Sequence, residues 1–71
     1  MDVAKSLQQV LGSDSYLKNF DLSVNYSGGC VKVEGKVNLY HHKQIVNHVI
    51  FNFIQKNNLT LTLENNVRVS N

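Results

Sequence analysis

The hydrophobic rhythm of the chain changes once, between Tyr26 and Phe53, and that change limits the folds open to it. Val31, Val33 and Val37 recur at a spacing of two, with Gly35 in the same register, which is the pattern of a strand with one buried face. Ile45, Val46, Val49, Ile50 and Phe53 then follow the spacing of one helix face. Asn38 stands where the period switches, and the sequence predicts that it caps the helix. Upstream, Gly28-Gly29 separates two alternating runs. A two-residue hairpin loop needs positive φ, which glycine adopts without steric cost. Gly28, Gly29 and Gly35 are therefore read as structural positions.

The flanking segments complete the pattern. Val3, Ala4, Leu7, Val10 and Leu11 lie on one face of a first helix of about ten residues, with Asp2 placed to cap it and Gly12 to stop it. Residues 12–19 form a polar connection that carries Tyr16 and Leu17. Phe20, Leu22, Val24 and Tyr26 alternate as a first strand. The second strand is expected from Cys30 to Val37, and the second helix to about Lys56, ended by Asn57-Asn58. Leu59, Leu61, Leu63, Val67 and Val69 are all odd-numbered, which favours one long last strand over two strands with a turn at Asn65-Asn66. The expected fold class is α+β in the order α-β-β-α-β. It has a three-stranded mixed sheet with both helices packed on one face, because a strand-helix-strand crossover joins parallel neighbours.

The 71 residues fit a single small domain, which buries only about 60% of its unfolded surface. With 42% hydrophobic and 17% charged residues the chain reads as globular. A formal charge of +2 is too small to indicate a nucleic-acid binder. One cysteine forms no internal disulfide, and no run approaches the roughly 18 apolar residues of a spanning helix. No signal peptide is evident. The chain as written is expected to be cytoplasmic, or periplasmic if a signal was removed. The ten asparagines are read as turn and surface residues.

By alternation, the outward face of the sheet carries Asp21, Ser23, Asn25, Cys30, Lys32, Glu34, Lys36, Thr60, Thr62, Glu64, Arg68 and Ser70. Three cations cancel three anions, and no aromatic side chain is present to stack a base, so the sequence argues against an RNA platform. His41 and His48 are seven residues apart on the predicted helix, about 10 Å along its axis and too far to share an ion. His42 falls near the middle of the apolar stripe and is expected to be packed and hydrogen-bonded. Cys30 is expected on the opposite side of the sheet. No metal, cofactor or catalytic constellation is expected, and the chain does not read as an enzyme. One feature stands apart. Tyr40, Phe51 and Ile54 make a second apolar edge on the second helix, which either packs against the first helix or forms an interaction surface for a second copy, another domain or a lipid surface.

The residues YSGGCVKVEGKVNLYHHKQIVNHVIF, followed by LENNVRV, resemble the BON domain family. The resemblance rests on Gly29, Val31, Gly35 and Val37 and on the run Asn65-Asn66-Val67-Arg68-Val69, and it extends over nearly the whole chain, so that residues 1–71 read as one BON-like domain. The family occurs in bacterial osmotically induced periplasmic proteins, haemolysin-like outer-membrane proteins, some secretins and small-conductance channels. The resemblance implies a non-catalytic module that binds phospholipid at a membrane or cell-envelope surface, or tethers proteins to membranes and to one another. The alternative is a protein-interaction or self-assembly module, a possible homo-oligomer, with no lipid role. An RNA-binding KH-like domain is the third reading, and the chain has no Gly-x-x-Gly loop to support it. Leu59-Thr60-Leu61 stands where the family usually has glycine-valine.

Overall fold

The structure, a computed structural model, describes residues 2–70. In chain order these residues form α1 (Val3–Ser13), β1 (Ser23–Ser27), β2 (Cys30–Val37), α2 (Tyr40–Lys56) and β3 (Thr62–Val69). The fold is α+β, with a mixed sheet in the order β1-β2-β3. β1 pairs antiparallel with β2, and β2 pairs parallel with β3.

The hairpin turn forms as its residues dictate. Ser27 faces Cys30, and Gly28 and Gly29 take φ of 57° and 76°, the double positive φ of a type I′ turn. Asp2 caps α1 through a bond from the Lys5 N–H at 3.1 Å. Gly12 does not stop that helix. It lies inside α1, which ends when the Asp14 N–H bonds back to the Leu11 carbonyl. β1 is shorter than the alternation predicts. Leu22 is buried ahead of the strand, Phe20 packs on the core from the connection, and Tyr26 is exposed beside the hairpin.

The cap of α2 is Leu39 and not Asn38, and among the described residues no side chain bonds to its first N–H groups. Its far end is closed more tightly. Asn58 takes φ of 53°, its N–H meets the Gln55 carbonyl, and the Leu59 N–H meets the Ile54 carbonyl at 3.0 Å. This is a Schellman motif with asparagine in the left-handed position. Leu59 and Leu61 pack on the core before the chain joins the sheet at Thr62. β3 then runs through Asn65-Asn66 without a turn.

The core is one cluster beneath the helices. Val31, Val33, Val37 and Val67 from the sheet meet Leu7 and Leu11 of α1 and Val46, Ile50 and Ile54 of α2, with Leu17 filling in from the connection. α1 lies over β1 and α2 over β3. Both helices cover one face. The other face carries the outward residues expected from the alternation, all exposed except half-buried Cys30.

Candidate functional site

Three elements meet at one end of the molecule. β2 finishes at Val37, α2 begins at Tyr40, and Val69 at the end of β3 lies opposite Val37. Seven large apolar side chains are exposed among the described residues, and four gather here: Leu39 at 55%, Tyr40 at 65%, Val69 at 39%, and Tyr16 at 62%. Tyr16 reaches this end from the α1–β1 connection, with its ring edge-on to His41 at 6.5 Å. Leu39 is exposed because it occupies the extended cap position, before the helix turns its apolar face inward. The first turn of α2 has no acidic residue and no side-chain cap. The His42 N–H bonds back to the Leu39 carbonyl, and among the described residues no side chain answers the partial positive charge of the other N–H groups there. Lys36 and Arg68, opposite each other on β2 and β3, add two cations one residue from the tip of the sheet.

The sheet has two unlike edges. At β1, Gln8 of α1 acts as a substitute strand: its Oε1 accepts from the Val24 N–H at 3.1 Å, and its Nε2 donates to the Leu22 carbonyl. At β3, Thr62 and Ser70 donate to Gly29 and Val37 of the β2 side, so the even-numbered residues face β2. The N–H and C=O groups of Leu63, Asn65, Val67 and Val69 therefore point away from the sheet. Among the described residues the Val67 N–H alone of these has a bond, to the Asn65 side-chain oxygen at 3.1 Å. Asn65 also turns inward, and its Nδ2 donates to the Lys43 carbonyl and to Asn47 Oδ1, both at 3.0 Å. Neither Asn65 nor Gln8 was marked by hydrophobic pattern, and only spatial pairing reveals them.

The second apolar edge of α2 divides. Ile54 is only 9% exposed and belongs to the core, so it is removed from the expected interaction surface. Its place on the wheel borders the buried stripe, and the Schellman turn folds Leu59 back towards it. Tyr40 and Phe51 stay exposed and do not pack on α1. The shallow groove between the helices is lined by Val10, Val49, Phe53 and Lys56 instead. Gly28 and Gly29 serve the hairpin as expected. Gly35 takes φ of 146° where a Cβ would lie 2.7 Å from the Asp21 carbonyl oxygen, so its absent side chain admits the chain leading into β1.

His42 packs against Phe20 with ring centroids 4.9 Å apart, but its Nδ1 is enclosed without a hydrogen-bond partner, contrary to the expected satisfied histidine. His41 and His48 are exposed. No three metal-ligating side chains converge among the described residues, and Lys32–Glu64, at 3.7 Å across β2 and β3, is the one ion pair there. No described helix is long and apolar enough to cross a membrane.

Comparison with protein-family models, curated proteins and solved structures finds no match to this chain.

Proposed function

We propose that this chain is a non-catalytic binding and tethering module that associates peripherally with a phospholipid surface through the end formed by Tyr16, Leu39, Tyr40 and Val69. The observation that carries the reading is the gathering of these exposed apolar side chains around an uncapped helix N-terminus. Each part answers a different layer of a lipid interface. Tyrosine and leucine bury apolar area at the boundary between headgroups and acyl chains, with the tyrosine hydroxyls left among the headgroups. Free N–H groups at a helix start favour a phosphate oxygen. Lys36 and Arg68 add about 1 kcal/mol each beside an anionic surface. The BON-family resemblance carried by Gly29, Val31, Gly35, Val37 and the Asn65–Val69 run points the same way.

Co-sedimentation with vesicles tests this. The chain is expected to pellet with vesicles containing anionic phospholipid, less with neutral ones, and less again at high salt. Replacing Leu39 and Tyr40 together by serine should lower the partition constant about tenfold, since two exposed side chains supply most of the apolar contact. Equal pelleting of wild type and the double variant would remove the assignment. A second reading, protein interaction through β3, has its own observation in the unpaired edge of that strand.

A further inference from the structure

We propose that the free edge of β3 binds a second copy of this chain, strand to strand and antiparallel, across a two-fold axis at Asn66. Backbone geometry limits the registers. The outward-facing groups of β3 belong to odd-numbered residues, so an antiparallel partner must set odd residues opposite odd ones. Charge then selects among them. With Asn66 opposite Asn66 of the second copy, Glu64 faces Arg68 of the second copy, and Arg68 faces its Glu64. Moving the axis to Asn65 or Val67 pairs neither charge with its opposite. Moving it to Glu64 or Arg68 sets like charges face to face, which is destabilising.

Two features of the single chain fit this register. Arg68 lies beside Lys36 on the neighbouring strand, and the ion pair found among the described residues does not include it. Glu64 of a second copy would stand on the open side of Arg68 and offset that repulsion. Glu64, already 3.7 Å from Lys32, would in turn lie between two cations. The inward residues match as well, with Leu63 opposite Val69 and Asn65 opposite Val67. Above this edge, Tyr40 and Phe51 lie on the same side of α2 as Asn47, which contacts Asn65 of β3. The axis brings the second copy's α2 alongside them. β1 offers a smaller surface, because Gln8 takes both a donor and an acceptor of its edge, whereas on β3 only the Val67 N–H is taken, by Asn65 Oδ1, which must release it when the strands pair.

The surface borders the proposed lipid contact and shares Tyr40 and Val69 with it, but its test needs no lipid. Sedimentation equilibrium of the chain at about 0.5 mM should give twice the 8.0 kDa mass, an affinity within reach of a strand-edge contact of this size. Glu64→Arg alone and Arg68→Glu alone should each weaken association about tenfold or more. The double variant should recover it. So should an equimolar mixture of the two single variants, because each then supplies what the other lacks, a result that general destabilisation cannot produce. Circular dichroism checks that each variant is folded. A mass of 8.0 kDa at that concentration would overturn the proposal. So would a dimer unmoved by either single reversal, or single variants that fail to associate when mixed.

Discussion

Gly35 is the residue on which two segments depend. Its φ of 146° and the 2.7 Å gap between a built Cβ and the Asp21 carbonyl oxygen leave no room for a side chain. The obstructing atom is backbone, which cannot swing aside as a side chain would. Gly35→Ala should therefore cost about 2 kcal/mol or more, from the unfavourable φ and the displaced connection together. Urea denaturation reads this as a lower midpoint at unchanged slope. His42 makes the opposite case. Its enclosed, unpartnered Nδ1 is a buried polar atom whose desolvation is not repaid. His42→Phe, which keeps the contact with Phe20, should raise stability by about 1 kcal/mol, and a loss of that size would show that Nδ1 is satisfied in solution.

At the scale of elements, the two sheet edges differ in what protects them. Gln8 pairs with both a donor and an acceptor of β1, so Gln8→Ala should cost about 1 to 2 kcal/mol and speed hydrogen exchange at Val24 more than at Val33. The alternation of Val31, Val33 and Val37 was enough to place β2 from Cys30 to Val37, because a strand between two others has one register that buries its valines. The end of α2 was equally legible in Asn57-Asn58. What period could not reveal was side-chain pairing at a distance. Gln8 and Asn65 are polar residues used as backbone surrogates, and nothing local distinguishes them from exposed glutamines and asparagines. The cap of α2 was misplaced for a related reason: Asn38 has the right chemistry, but the chain turns into the helix one residue later, at Leu39. Ile54, on an edge whose pattern allows either packing or an interaction surface, is buried, because it borders the core stripe and the Leu59 N–H bond to its carbonyl folds the next segment back beside it.

For the whole molecule, the two proposed surfaces combine in a way that either alone would not. A two-fold axis normal to the sheet reverses β3 in the second copy, so the Leu39–Tyr40 ends of the two chains point in opposite directions. A dimer of this kind joins two lipid surfaces, whereas a single chain only coats one. Wild type should therefore cluster anionic vesicles, raising turbidity. Glu64→Arg should bind vesicles without clustering them, and the Glu64→Arg/Arg68→Glu double variant, with the same net charge as wild type, should restore clustering. Turbidity that follows bound protein in all three would mean that the edge of β3 plays no part.

The most direct test of the membrane assignment is nuclear magnetic resonance of the chain on anionic vesicles or bicelles carrying a nitroxide-labelled lipid. Broadening is expected at the amides of Tyr16, Leu39, Tyr40 and Val69, with Gly28, Gly29 and Asn57 at the far end left sharp. Broadening centred on the hairpin, on the outward face of the sheet, or nowhere at all would contradict the account.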